Sequence, residues 1–166
     1  MTKRALVSGI VLGVAAVGQV VLAFVLYRQD ANALLRNLSW AVLWISAILG
    51  WWPILWLRLR GGVAKGQSYI RTTQLVTSGP YALVRHPQYL AGSLLGLGIA
   101  GVVQHWIVTV LGVIVASISY LGTWDEDQAC LAKFGTDYEV YRQRVPRVNL
   151  LLGIGRWIAR QVRPTA

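Results

Sequence analysis

Apolar residues run almost unbroken from Ala5 to Leu26, again from Leu38 to Leu57, and a third time from Tyr89 to Trp124, where Gln104 and His105 make the one polar break. The first two runs are about 20 residues each, the length at which an α-helix crosses a hydrocarbon core. The third holds 36 residues. As one straight helix it would reach roughly 54 Å, too long for a single crossing. It therefore predicts two short helices, 89–103 and 107–124, turning back at Gln104-His105-Trp106, with Gly92, Gly96, Gly98, Gly101 and Gly112 permitting close backbone approach. The pattern predicts an all-α integral membrane protein with four transmembrane helices at about 5–26, 38–57, 89–103 and 107–124, the last two a hairpin, in a single domain over 1–166.

The polar stretches between and after these runs have characters of their own. Lys3-Arg4 imitates the start of a signal peptide, but the run behind it is too long and ends in Tyr27-Arg28, which reads as a retained first span. In the second span the tryptophans near the ends suit the interfaces, the central ones are expected to pack on neighbouring helices, and Pro53 is expected to kink the last turns. Residues 58–88 read as an irregular loop outside the membrane, with Gly61-Gly62, scattered cations and a short β-prone piece. After Trp124 a polar helix-like segment leads to "LLGIGRWIARQVRP", where Arg156, Arg160 and Arg163 fall on one face opposite Ile154, Trp157, Ile158 and Val162. That pattern predicts an interfacial helix lying in the headgroup plane, where Arg160→Ala is expected to leave ligand binding nearly unchanged.

Charge adds orientation. The chain carries 16 Lys+Arg against 6 Asp+Glu, a formal charge of +10, and is 55% hydrophobic. Fourteen of the sixteen cations fall before span one, between spans two and three, or after span four; only Arg28 and Arg36 fall on the other side. The positive-inside rule then predicts a multi-pass protein with both termini cytoplasmic, and the lack of targeting signals points to a prokaryotic cell membrane. The spans assign the basic excess to lipid headgroups and orientation, with no nucleic-acid partner. The lone Cys130 rules out an intrachain disulfide, and His86 and His105 stand at opposite ends of an apolar segment, so no metal site is expected.

This topology puts two chemically dense stretches at one membrane face: Gly66–Tyr89 and "WDEDQ", residues 124–128. A tight last hairpin is expected to bring Tyr89 to Glu126. Gly79-Pro80 makes a turn, and Pro87 keeps His86 out of the α region while starting the third helix. The chain is expected to run extended from Thr73 to His86, offering backbone groups to a ligand. Tyr81 and Tyr89 offer ring faces and hydroxyls, and Glu126 and Asp127 offer charge that a cationic ligand would compensate. A nucleoside with a positive sulfur fits that inventory. Arg85 and His86 equally suit lipid phosphates, the tyrosines an interfacial belt, and Asp125–Asp127 a solvated helix start.

The blocks "LVTSGPYALVRHPQYLAG" and "EDQACLAKFGTDYEVYRQRVPR" resemble the isoprenylcysteine carboxyl methyltransferase and phospholipid methyltransferase superfamily of membrane enzymes. The resemblance covers about Leu75 to Arg147; the first two spans match by hydropathy only. It implies S-adenosylmethionine as cofactor, held by Thr73, Gln74, Leu75, Val76, Tyr81, His86, Pro87, Gln88, Tyr89, Glu126 and Asp127. It further implies a lipophilic acceptor entering sideways from the bilayer, membrane lipids as partners, and Arg85 at the substrate. Glu126 is the candidate catalytic residue, orienting the cofactor and, with a neutral acceptor, taking its proton. Two departures stand out. The acidic pair is Glu126-Asp127 where the family usually shows Glu-Glu, and Gly122 stands where the prenylcysteine enzymes place an arginine. The second leaves the acceptor open among another carboxylate, an amine headgroup, or a lipophilic alcohol or thiol. Membrane sterol reductases that bind NADPH share an Arg/His-Pro-x-Tyr block and give an alternative. A non-enzymatic membrane protein binding lipid or a partner through its basic face gives another.

Overall fold

The computed structural model describes residues 3–64 and 66–162, and for the first turn, residues 3–6, only the backbone. Lys65 and Arg163, two of the cations used for orientation, lie outside the described residues, as do the side chains of Lys3 and Arg4. Among the described residues five α-helices follow in order: α1 Lys3–Leu26, α2 Ala33–Arg60, α3 Pro87–Val103, α4 Trp106–Arg144 and α5 Leu150–Val162, with a 3₁₀ helix at Gly79–Ala82. Among the described residues there is no strand. α1 (from Val7), α2 and α4 are long and apolar enough to cross a membrane, and α3 is a shorter apolar helix of 17 residues.

Two element boundaries differ from the sequence expectation. α2 begins and ends beyond 38–57 because Asn32 accepts the Leu35 N–H at 2.9 Å and so caps the helix early, while nothing breaks it before Gly61. α4 does not stop at Trp124. Polarity ends a hydrocarbon span, but Asp125–Gln128 contains no helix breaker, so the helix runs on until Gly135. There the backbone leaves the helix at φ 54°, ψ −128°, a conformation that only glycine adopts without strain, and then resumes to Arg144.

Contacts gather into two compact units, Met1–Ile48 with Tyr89–Gly122, and Leu49–Gln88 with Thr123–Ala166. The first is a set of helices held by small residues and a few buried polar groups. The α3–α4 hairpin forms as expected: a Cβ on Gly96 would lie 2.9 Å from the Gly112 carbonyl oxygen, and one on Gly112 would lie 2.5 Å from that of Gly96. Gln19 of α1, 1% exposed, donates through Nε2 to the carbonyls of Gly96 (2.7 Å) and Val108 (3.1 Å), so one side chain ties three helices. Ser46 of α2 donates to the Ala91 carbonyl of α3 at 2.8 Å. At one end, Gln104, at φ 54°, exchanges amide hydrogen bonds with the Asn32 backbone, so the α1–α2 and α3–α4 turns lie together. The central tryptophans do not pack inward: Trp44 and Trp51 are 70% and 71% exposed, outward-facing as lipid contact requires.

The second unit is built on a loop that closes back on itself. Gly61 accepts the N–H groups of Thr73 (2.8 Å) and Gln74 (3.2 Å), and the Thr73 hydroxyl donates to Gly62 at 2.9 Å. Gly79 then turns at φ 60° directly against the Trp56 ring, whose Nε1–H donates to Ser78 Oγ at 3.1 Å. The expected extended path from Thr73 to His86 is therefore interrupted by the 3₁₀ helix, because Pro80 fixes one helical φ and its carbonyl accepts from Leu83 and Val84.

The hairpin makes a rank-order prediction for the full protein in detergent. Gly112→Ala is expected to lower the unfolding midpoint in a dodecyl-sulfate titration more than Gln19→Leu. The first meets backbone that cannot move, whereas the second removes hydrogen bonds worth about 1 kcal/mol in a membrane interior.

Candidate functional site

Three stretches of the chain, at residues 85–86, 138 and 147, converge on one carboxylate. Asp127, on the polar part of α4, is buried and accepts from five donors on four side chains. His86 Nε2 lies 2.7 Å from Oδ1, and the Tyr138 hydroxyl donates to the same oxygen. Arg147 donates through Nε and Nη2 at 3.1 and 2.7 Å to Oδ2, and Arg85 Nη2 reaches Oδ2 at 3.3 Å. Backbone bonds reinforce the knot: Arg85 N–H donates to the Pro146 carbonyl at 3.0 Å and His86 N–H to that of Arg147 at 3.1 Å. The Arg147 guanidinium also stacks 3.7 Å above the Trp124 ring.

Gly135 is what lets Tyr138 take part. Eleven residues of straight helix separate two Cα atoms by about 16 Å, beyond the reach of a tyrosine to an aspartate. The break at Gly135 folds the helix back so that the two meet. Tyr138, Tyr141 and Val145 then form the buried cluster of this unit, with Leu75, Leu131 and Phe134 against it.

Tyr81 sits beside this cluster. Its carbonyl accepts from the Tyr141 hydroxyl at 2.7 Å. Burial first, and then the negative charge of Glu126, push the Tyr81 hydroxyl well above the usual phenol range, so it stays a protonated donor. Glu126 itself is exposed, with Cys130 Sγ 3.8 Å from its Oε1. Of the acidic pair, then, Asp127 is enclosed by protein donors and Glu126 is open.

A cavity of about 900 Å³ opens on the same unit. Thr73, Gln74 and Leu75 line one side, followed by Thr77, Ser78, Gly79 and Ala82. Phe134, Asp137, Tyr141 and Arg144 of α4 line another, and Trp157, Arg160 and Gln161 of α5 complete it. Of the residues expected at a cofactor, Thr73, Gln74 and Leu75 are in this wall, while Val76, Tyr81, His86, Pro87, Gln88, Glu126 and Asp127 are not among its lining residues. Tyr89 belongs to the other unit, where its ring fills the space beside Gly122: a Cβ there would lie 2.7 Å from Tyr89 Cε1. Arg85, expected at the substrate, has its guanidinium drawn onto Asp127 and the Arg142 carbonyl.

Arg160 is held by the protein and not left to the headgroups. Its guanidinium donates to the carbonyls of Arg144 (3.0 Å) and Ala82 (2.9 Å) and lines the cavity instead of standing apart from it. The sequence signal was Gly153. A Cβ at that position would collide with the Leu83 carbonyl, so α5 packs its backbone on the loop and turns Arg160 inward two turns later.

These contacts rank three substitutions. Asp127→Asn is expected to cost about 3–5 kcal/mol, because it leaves buried guanidinium groups without their counter-charge. Tyr138→Phe is expected to cost about 1 kcal/mol, for one hydrogen bond. Gly135→Ala should fall between them, through backbone strain of roughly 1–3 kcal/mol. Thermal unfolding of the purified variants checks the order.

The chain is 30% identical over 149 residues to the cobalt-zinc-cadmium resistance protein CzcN of Cupriavidus metallidurans, covering 85% of this chain and 67% of that protein. It is 32% identical over 100 residues to protein-S-isoprenylcysteine O-methyltransferase of Schizosaccharomyces pombe, covering 55% of this chain and 42% of that enzyme. The chain thus spans two thirds of the first relative's length and under half of the second's. No solved structure matches it. The phospholipid methyltransferase pattern fits residues 39–136, more than half of the chain, and takes in both His86 and Asp127 of the buried knot, so the protein belongs to the phospholipid methyltransferase family.

Proposed function

We propose that the protein transfers a methyl group from S-adenosylmethionine to a lipophilic acceptor at the cytoplasmic face of the membrane. In this reading α1, α2, α3 and the apolar part of α4 cross the bilayer, and both termini are cytoplasmic. What supports it is the cavity bounded by Thr73–Leu75, the segment that the family resemblance assigns to the donor. Its 900 Å³ lies within the range of small-molecule sites, and its lining joins ring faces to hydroxyls, an amide and both signs of charge. That is the inventory a nucleoside with an amino-acid tail requires. The bound donor would supply a methyl group on a sulfonium, transferable without a metal or a covalent enzyme intermediate.

The chain's own residues then divide the work. Leu75, Phe134 and Tyr141 offer apolar and aromatic surface to a purine, and Thr73, Gln74, Thr77 and Ser78 offer hydrogen bonds. Outside that lining, Tyr81, held protonated, and the open carboxylate of Glu126 provide a donor and a negative charge close together. Glu126 orients a cationic ligand and is available to take a proton from a neutral acceptor. Asp127, His86, Arg85 and Arg147 hold the loop in place. Where prenylcysteine enzymes carry an arginine, the Tyr89 ring occupies the space beside Gly122, which disfavours a carboxylate clamp there and favours an acceptor recognised by its apolar body.

Calorimetric titration of the purified protein with S-adenosylhomocysteine is expected to show saturable binding, and titration with NADPH none. Heat from NADPH with silence from S-adenosylhomocysteine would sink the reading in favour of a reductase. Leu75→Trp, which fills the cavity, should weaken S-adenosylhomocysteine at least tenfold. Glu126→Gln should lower turnover by about 100-fold if the carboxylate takes a proton, and much less if it only orients. Labelling of a lipid extract with a radioactive methyl donor, followed by identification of the product, names the acceptor.

A further inference from the structure

α5 has two edges, and only one is satisfied by the protein. The inner edge is Gly153, buried on the Leu83 carbonyl, together with Trp157, Arg160 and Gln161 in the cavity wall. The outer edge is Leu151, Ile154, Ile158 and Val162, spaced at three and four residues along one helix face. These side chains are 83%, 37%, 49% and 74% exposed. A helix that leaves a continuous apolar stripe uncovered needs a partner.

The surroundings of the stripe indicate which one. Beyond residue 127 the chain carries seven cations and two acidic residues. Arg156, on the side of α5 away from the stripe, and Arg144, at the end of α4, are both exposed. Three helices of the same chain are long and apolar enough to cross a membrane, so a bilayer is the one apolar phase that this protein always meets. An apolar stripe on a strongly basic part of the chain matches the boundary between acyl chains and anionic headgroups.

We propose that α5 docks on the anionic surface of the protein's own membrane through Leu151, Ile154, Ile158 and Val162, and that this docking holds the cavity wall closed. The inner edge transmits it: Arg160, bonded to Ala82 and Arg144, and Gly153, seated on Leu83, fix the docked helix to the loop and to α4. Lipid composition thereby sets how tightly the wall packs. The inference concerns α5 itself and holds whatever ligand the cavity takes.

The test uses the full chain, with Cys130→Ser removing the lone thiol, in bilayer discs of phosphatidylcholine alone or mixed equally with phosphatidylglycerol. Single nitroxides at Leu151→Cys, Ile158→Cys and Arg156→Cys report relaxation by oxygen, which favours lipid, and by a water-soluble nickel chelate. In mixed discs the oxygen-to-nickel ratio at 151 and 158 should exceed that at 156 several-fold, and the contrast should shrink in phosphatidylcholine alone. Equal ratios at all three positions in mixed discs overturn the docking. A contrast that ignores lipid charge overturns the anionic assignment. A second pair, Asp137→Cys with Gln161→Cys, spans the cavity; its inter-label distance distribution should narrow in mixed discs, and one identical in both compositions overturns wall closure. None of these readouts uses the methyl donor, so failure of the donor reading would show separately, as absent S-adenosylhomocysteine heat in the unlabelled protein.

Discussion

A buried carboxylate cannot stay ionised without donors, and the second unit of this protein is organised around meeting that requirement for Asp127. His86 and Arg85 arrive from the loop, Tyr138 from beyond the break in α4, and Arg147 from the segment after it. Each partner closes a separate length of chain. The loop from Gly61 to His86 cannot drift while His86 is held, and the chain beyond α4 cannot leave while Arg147 is held. Stability of the unit thus rests on one set of charge-assisted hydrogen bonds.

Much of this was legible in the residues. Uninterrupted apolar runs gave the helices long and apolar enough to cross a membrane, and Gln104-His105 gave the turn, since an amide and an imidazole side chain cannot sit in mid-span without partners. The glycines of α3 and α4 were legible as points of close approach, and Pro87 as a helix start. The motifs of the family blocks were also visible, but their division of labour was not. Nothing in the string "EDQ" says that Asp127 turns inward and Glu126 outward. That depends on which helix face meets the loop, and so on contacts among residues 85, 86, 138 and 147.

The misread elements share one cause: a local pattern taken without its long-range partner. Arginines on one face of α5 suggested headgroup contact for all of them, whereas Arg160 finds two carbonyls, one of them 78 positions back in the chain. Tryptophans in the middle of α2 suggested helix packing, whereas Trp44 and Trp51 face outward. In a membrane protein an aromatic ring loses nothing by facing lipid, so position along the span decides less than it would in water. Polarity after Trp124 likewise marks only the end of an apolar stretch: the helix-like segment that follows is continuous with the span.

The order of the partners along the chain has a consequence for biogenesis. Synthesis delivers Arg85 and His86 before Asp127, and Tyr138, Arg147 and α5 after it. While the chain is being made, the buried acid therefore waits with a partial set of donors, and the guanidinium that grips it most closely emerges among the last. A chain released before residue 147 would already hold its apolar helices yet leave the buried acid short of its closest guanidinium.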